Sequence, residues 1–240
     1  MTTKRDHRKQ LIACVSTGLV LVALTSAWAD GNGKAQAGEG KHANLSALWW
    51  QWVSAQPAVI DADGINTYPI LDSTGRYASV GQEDGIGPGN KVFFLTGTFG
   101  FDVVRTVTVP AGKALFFPIL NYEADNAVDP PTNNTVPQLR AIAKAVIDGA
   151  ISMYATLNGE PLEIFRTKSP TFDYTVPDEN SIYDYFGLVG PQFEGRIKPA
   201  VADGYWVYID PLPRGKYVLK FGVEAVGGFS LNVTYNLTIE

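Results

Sequence analysis

The segment of residues 89–126 constrains the fold most strongly, because it contains three short apolar stretches separated by glycine or proline. Its sequence is GNKVFFLTGTFGFDVVRTVTVPAGKALFFPILNYEADN. We predict strands over residues 91–99, 103–109 and 114–120. The middle stretch alternates apolar and polar residues, which is typical of a strand with one solvated face, whereas the outer two are almost continuously apolar and suit buried core strands.

Two helices and several further strands are predicted around this segment. Residues 44–56 carry apolar residues at helical spacing, with Asn44 as the N-cap and Pro57 as the stop. Residues 135–151 begin with a capping box and continue with the same spacing. Hairpins are predicted at Asn158-Gly159 and at residues 211–215, and a final strand ends the chain. We therefore predict a mainly β protein, with a single β-sandwich or jelly-roll-like domain over residues 44–240 and two packed helices.

The first residues are typical of a signal peptide. A basic stretch precedes an apolar run over residues 11–24, and Ala27-Trp28-Ala29 supplies a small-x-small cleavage pattern. A membrane anchor is the alternative, but the run is short and contains Ser16 and Thr17. We expect residues 1–29 to be removed after Ala29, residues 30–43 to form a flexible linker, and the mature chain to be periplasmic or secreted without a membrane span.

Charge and composition exclude several classes of function. The formal net charge is −5, and removal of residues 1–29, which hold four basic residues and one acid, would make it −8. Nucleic acids and anionic membranes require clustered positive charge, so we expect neither as a partner. The shortened chain would keep no cysteine and one histidine, His42, which excludes disulfides, thiol catalysis and zinc sites built from Cys and His.

Carboxylates, tyrosines and arginines must therefore carry any chemistry. Glu123 and Asp125 follow the third core strand, and Arg105 lies on its neighbour. If these residues cluster with Asn121, the arginine can orient a substrate carboxylate while a carboxylate or a tyrosine exchanges a proton. The alternative is structural, with Arg105 and Glu123 forming an ion pair and Asp203-Gly204 forming a turn. We name Arg105, Glu123 and Asp125 as candidate catalytic residues.

A second set of residues suits ligand binding. Trp50 is predicted to point away from the apolar face that Trp49 and Trp52 share. The segment of residues 177–199 is rich in aromatic residues and is too long for a plain connector, so it either packs over the core or lines a site. The candidate ligand-binding residues are Trp50, Asn121, Arg166, Tyr185 and Trp206.

Calcium is the one cofactor for which the sequence offers candidate ligands. Asp61 and Asp63 can supply oxygen ligands, but the twelve-residue EF-hand spacing is absent. Aspartate and glycine also support tight turns, which is the competing interpretation of DADG at residues 61–64. We name no metal-binding residue.

Several motifs resemble a group of exported bacterial proteins that has no established activity. These motifs are KVFFLTGTFG, RTVTVPAGKALFFPILN, SPTF and ADGYWVYIDPLPRGKYVLKFG. The resemblance implies export and a β fold, and it supplies no catalytic residues. Relatives in that group often carry cysteines near the first two strands, where this chain has Val80 and Val107, so a family disulfide would be absent here.

Three functions remain open at this stage. The first is an exported binding protein for a carbohydrate or another cell-envelope component, by analogy of fold and from the aromatic-rich loops. The second is a carbohydrate-active enzyme, either a polysaccharide lyase or a hydrolase, that uses carboxylate, Tyr and Arg groups. The third is a structural or interaction module.

Overall fold

Two β-sheets form the body of the protein in the computed structural model, which describes residues 35–128 and 130–240. The first sheet contains strands β1 (Val92–Phe94), β3 (Ala114–Ala124), β8 (Arg196–Ile209) and β6 (Phe165–Lys168), with β7 (Phe172–Thr175) also paired to β8. The second sheet contains β2 (Val103–Val109), β10 (Phe229–Ile239), β9 (Gly215–Ala225), β4 (Ala150–Leu157) and β5 (Glu160–Pro161). The predicted mainly β, sandwich-like domain is confirmed. The predicted signal peptide and residues 30–34 of the predicted linker lie outside the described residues.

Three helices accompany the sheets: α1 (Ala35–Ser54), α2 (Val136–Ile147) and α3 (Ile182–Phe186). Helix α1 begins before Asn44, so the prediction of a flexible linker is wrong for residues 35–43. Two glycines in this stretch lower its intrinsic helix propensity, which is why the sequence favoured a linker. Tertiary contacts compensate, because Lys41 donates to the Tyr208 hydroxyl at 2.9 Å and the ring of His42 stacks 4.4 Å from that of Phe165.

The main core lies between the two sheets. Strand β2 alternates as predicted, because every second residue is exposed. The buried residues are Val103, Arg105, Val107 and Val109. From the first sheet Phe117 meets Phe221 of the second, with ring centroids 4.9 Å apart. Apolar burial of this kind, at roughly 25 cal/mol per Å², is the main term that holds the sheets together.

Successive strands alternate between the two sheets at the start of the domain. Strand β2 belongs to the second sheet, whereas β1 and β3 pair in parallel in the first. The predicted hairpin at residues 211–215 is wrong, because β8 pairs with β3 and β9 pairs with β10. Pro211 and Pro213 lack N–H groups and cannot continue a hydrogen-bonded ladder. The hairpin at Asn158-Gly159 is confirmed, with positive φ values of 53° and 91° at its two turn residues.

A second core covers the outer face of the first sheet. Trp49 and Trp52 of α1 are 1% and 5% exposed and pack with Phe94, Phe116 and Trp206. The aromatic-rich segment that follows β7 folds over the same face, with Ile182 and Phe186 of α3 buried against this cluster. Helix α1 and this segment therefore cover the polar side chains of β3 and β8 that lie on this face. No helix in the described part of the chain is long and apolar enough to cross a membrane.

Candidate functional site

Polar side chains interrupt the apolar outer face of the first sheet where β3 and β8 pair. Asn121 lies opposite Gly204 and Glu123 lies opposite Ala202. Because side chains alternate along strands, these positions share the face of Trp206, which is two residues beyond Gly204. The strand is irregular between Pro118 and Leu120, where the pairing shifts by one residue. Because of this shift, the odd-numbered Asn121 and Glu123 lie on the same face as the even-numbered Phe116.

Four atoms at this place are buried and have no hydrogen-bond partner. They are Trp50 Nε1, Asn121 Nδ2, Glu123 Oε1 and Trp206 Nε1. An unsatisfied buried polar group costs about 1–3 kcal/mol, so four of them together are unusual in a folded domain. The neighbouring indoles differ, because Trp49 Nε1 donates to the Leu95 carbonyl at 2.9 Å and Trp52 Nε1 donates to the Val80 carbonyl at 2.7 Å.

Gly204 brings two of these side chains together. A Cβ atom at this position would lie 2.8 Å from Trp206 Nε1 and 2.9 Å from Asn121 Cβ. Both side chains therefore converge on the space that glycine leaves over β8. Trp50 joins them from α1, because it packs both against the cluster that contains Trp206 and against the cluster that contains Tyr174 and Ala202.

Asp125 adds a second carboxyl group beside Glu123. Its Oδ2 accepts from the Tyr174 hydroxyl at 2.5 Å, and its Oδ1 accepts from the Ala127 amide at 2.6 Å. The Tyr174 hydroxyl lies 2.6 Å from that of Tyr183, so two tyrosines and one carboxyl group form a continuous hydrogen-bonded chain. We call the seven residues the α1 site: Trp50, Asn121, Glu123, Asp125, Tyr174, Tyr183 and Trp206.

Burial dominates the electrostatics of the α1 site. It raises the pKa of Glu123 well above the ordinary value of 4.5, and the charge of Asp125 raises that pKa further. Burial also raises the pKa of Asp125, although hydrogen bonds from Tyr174 and Ala127 oppose this. The pKa values of both tyrosines lie well above 10 because of burial and the neighbouring carboxylates. In the described part of the chain, none of these pKa values is set by a neighbouring cation.

Replacement of Glu123 by glutamine is expected to stabilise the protein above the raised pKa of Glu123. The folded protein holds this proton more tightly than the unfolded chain, so wild-type stability falls as pH rises from about 4.5 through the raised pKa. The loss is about 1.4 kcal/mol for each pH unit by which folding raises the pKa. Glutamine does not titrate, so the Glu123→Gln protein should match the wild type near pH 4 and melt at a higher temperature near pH 8.

Thermal melts of both proteins between pH 4 and 9 measure this difference, with the exposed Glu179→Gln as the matched control. A gap between the Glu123→Gln and wild-type midpoints that stays constant across this range would contradict the titration of Glu123.

The structure brings together five of the eight predicted site residues and places three elsewhere. Trp50, Asn121, Glu123, Asp125 and Trp206 belong to the α1 site. Tyr185 is half-buried in α3 and packs edge-on against Phe186, with ring centroids 5.2 Å apart. Tyr183, two residues earlier, is instead hydrogen-bonded to the Tyr174 hydroxyl, which donates to Asp125. Trp50 was predicted to be the exposed tryptophan, but it is half-buried and its Nε1 is fully enclosed.

Arg105 lies in the main core and does not pair with Glu123. The residue is 1% exposed, and its guanidinium donates to backbone carbonyls of two loops and to the hydroxyls of Thr96 and Tyr235. Both the predicted cluster with Glu123 and the alternative ion pair are therefore wrong. Arg105 ties the loops of residues 70–72 and 96–97 to the second sheet.

Arg166 lies on the opposite face of the first sheet from Trp206, because it is in register with Tyr205. Its guanidinium binds both carboxylate oxygens of Asp203, at 2.9 and 2.8 Å, and Asp148 at 2.7 Å. These contacts fasten the C-terminal end of α2 to the sheet. The alternative of a turn at Asp203-Gly204 is also wrong, since both residues lie inside β8.

Asp61 and Asp63 lie in a turn, and their carboxylates are already paired with the guanidinium of Arg76. Asp61 Oδ1 accepts from the amides of Asp63 and Ile65, at 2.9 and 2.8 Å, and Arg76 binds both carboxylates. Among the described residues, no group of three or more His, Cys, Asp or Glu is arranged to hold a metal ion. Calcium binding remains a prediction, which a thermal-shift titration with calcium would test.

No protein-family model and no curated protein matches the sequence. Among solved structures, the solution structure of amebosin is 10% identical, with a TM-score of 0.22 over 59% of this chain and 98% of amebosin. PbICP-C in complex with falcipain-2 is also 10% identical, with a TM-score of 0.22 over 58% of this chain and 89% of that one. The cysteine protease inhibitor EhICP2 from Entamoeba histolytica is 14% identical, with a TM-score of 0.21 over 61% and 94%. Similarity at this level supports no conclusion about fold or function.

Proposed function

We propose that the protein is an exported ligand-binding protein whose ligand lies in the α1 site. The observation that carries this proposal is the set of four buried, unpartnered polar atoms on α1, β3 and β8. Such groups are stable in a folded protein when water or a ligand supplies the missing hydrogen bonds. Export rests on the signal-peptide pattern of residues 1–29.

The ligand must both accept and donate hydrogen bonds. Trp50, Asn121 and Trp206 offer N–H groups, whereas Glu123 offers a carboxyl oxygen. A sugar hydroxyl both accepts and donates, and aromatic rings such as those of Trp50 and Tyr183 pack well against the apolar face of a sugar. A carbohydrate or another hydroxylated component of the cell envelope meets these requirements.

An open groove between α1 and β7 offers a route to the α1 site. It is lined by Gln51, Ala55, Asp173, Tyr174, Thr175 and Arg196. Tyr174 belongs to both the groove and the α1 site, since its hydroxyl donates to Asp125. Gln51 Nε2 donates to the Asp173 carbonyl at 2.7 Å across this groove.

One observation supports an enzyme as the second candidate. Glu123 and Asp125 are neighbouring buried carboxyl groups with raised pKa values, and Tyr174 links Asp125 to Tyr183. Perturbed pKa values are common among acid and base catalysts. A polysaccharide lyase or a hydrolase could use this pair for proton transfer. Product formation from a bound polysaccharide would distinguish this candidate from a binding protein.

Calorimetric titration tests the proposed function with a panel of neutral sugars, amino sugars, uronic acid oligomers and envelope polysaccharides. The informative variant is Trp206→Phe, because phenylalanine can retain the stacking on Phe116 while it removes the unpartnered N–H. We expect at least one ligand to bind the wild type, and Trp206→Phe to weaken it by about tenfold, as expected for the loss of one good hydrogen bond. An affinity that Trp206→Phe leaves unchanged would place the ligand elsewhere. If nothing in the panel binds, the interaction module becomes the better account.

A further inference from the structure

The α1 site holds two carboxyl groups but no positively charged side chain. Glu123 and Asp125 are adjacent acidic groups, and their hydrogen-bonding neighbours Tyr174, Tyr183 and Ala127 are all neutral. By contrast, the buried carboxylate of Asp203 on the opposite face of β8 is paired with Arg166. A buried carboxylate without a counter-ion is costly, so Glu123 retains its proton in the free protein, and a cation placed beside it would allow it to ionise.

Aromatic rings pack around Tyr174, whose hydroxyl donates to Asp125. Trp50, Tyr183 and Phe193 pack around Tyr174 and Ala202, and the Tyr183 and Phe193 ring centroids lie 5.0 Å apart. Trp206 stacks on Phe116, with centroids 4.7 Å apart and planes 9° from parallel. Rings that enclose a small acidic site favour an organic ammonium group, because its charge interacts with both the π faces and the carboxylates.

The ligand must also supply hydrogen-bond acceptors, because the α1 site contains N–H groups without partners. Trp206 is 0% exposed, and its Nε1 is directed to the space over Gly204 beside Asn121. These N–H groups need acceptors, which an ammonium group alone cannot supply. A bare metal cation fails for the same reason, since indole and amide N–H groups would face it with their positive ends.

We infer that the ligand carries both a protonated amine and hydroxyl groups, as amino sugars and amino alcohols do. The ammonium group lies against Glu123 and Asp125, and the hydroxyl oxygens accept from Trp206 and Asn121. This inference rests on the proposed function and specifies the chemistry of its ligand.

Two matched pairs of probes test the inference, because in each pair a hydroxyl replaces the ammonium group. D-Glucosamine is compared with D-glucose, and ethanolamine with ethylene glycol, by calorimetric titration into the wild type, Glu123→Gln and the control Glu179→Gln. We expect the amine of at least one pair to bind at least tenfold more tightly than its neutral partner. Glu123→Gln should reduce that preference to less than threefold, whereas Glu179→Gln should keep it.

The outcomes separate this inference from the proposed function. Equal binding of an amine and its neutral partner would overturn the amine requirement while leaving a ligand-binding protein. An unchanged preference in Glu123→Gln would also overturn it. Absence of binding by all four probes would overturn the inference as well, and the wider panel above would then decide whether the α1 site binds anything. Near-ultraviolet circular dichroism of Glu123→Gln confirms that lost binding does not reflect lost packing.

Discussion

Replacement of Arg105 by methionine is expected to lower the free energy of unfolding by about 3–5 kcal/mol, because several buried acceptors lose their donor at about 1–3 kcal/mol each. The side chain is 1% exposed. Its guanidinium donates to the carbonyls of Ile70 and Asp72 at 3.0 and 2.7 Å and to the Tyr235 hydroxyl at 2.8 Å. Methionine fills much of the volume but leaves these acceptors without donors, and each such loss is costly.

Chemical denaturation of the wild type and Arg105→Met measures this loss. Arg214→Met is the matched control, because Arg214 is exposed and its replacement should change stability by less than about 0.5 kcal/mol. A loss below about 1 kcal/mol in Arg105→Met would show that Arg105 does not anchor the loops. Ligand binding should persist in Arg105→Met under conditions where it is folded, since Arg105 lies outside the α1 site.

Replacement of Trp206 by alanine is expected to cost about 3–5 kcal/mol, as for other buried tryptophans. Trp206 is 0% exposed, stacks on Phe116, and meets Trp49 edge-on with centroids 5.7 Å apart. Alanine would leave a cavity beneath α1 that the sheet cannot close. Trp206→Phe should cost much less, because it keeps a ring in this space and removes an N–H that has no partner.

Urea denaturation of the two variants separates packing from hydrogen bonding at this position. A similar loss in Trp206→Phe and Trp206→Ala would mean that the indole N–H already has a stabilising partner, such as a tightly bound water. In that case the α1 site would be complete without a ligand, and the proposed function would lose its main support.

Local patterns predicted β2, β3 and helix α2 well, because those signals lie within a few residues. The alternation of β2 and the turn at Asn158-Gly159 are examples. The strand predicted over residues 91–99 is wrong in length, since β1 covers only Val92–Phe94. The pairing of β8 with β3 rather than β9 could not be predicted in this way, since it depends on contacts between residues about ninety positions apart. Helix α1 extends before Asn44 for a similar reason, because Lys41 contacts Tyr208 and His42 contacts Phe165.

The α1 site was partly predictable from the sequence. Glu123 and Asn121 were found because polar residues that directly follow an apolar strand are conspicuous. Tyr174 was missed, since a tyrosine in a short alternating strand looks like any core residue. Arg105 was misplaced for the opposite reason, because a charged residue on the buried side of a strand resembles a functional group. Only the structure shows that carbonyls from two loops surround it.

The most direct test of the α1 site follows the indole N–H signals in ¹H–¹⁵N spectra of the labelled protein during titration with D-glucosamine or D-glucose. Trp49 and Trp52 already donate to carbonyls and act as internal controls, whereas Trp50 and Trp206 do not. Trp→Phe variants assign each signal. We predict that the Trp50 and Trp206 signals move most, and in the direction of a newly formed hydrogen bond. Larger shifts at Trp49 and Trp52, or no shift at any of the four with saturating sugar, would contradict a ligand site beneath α1.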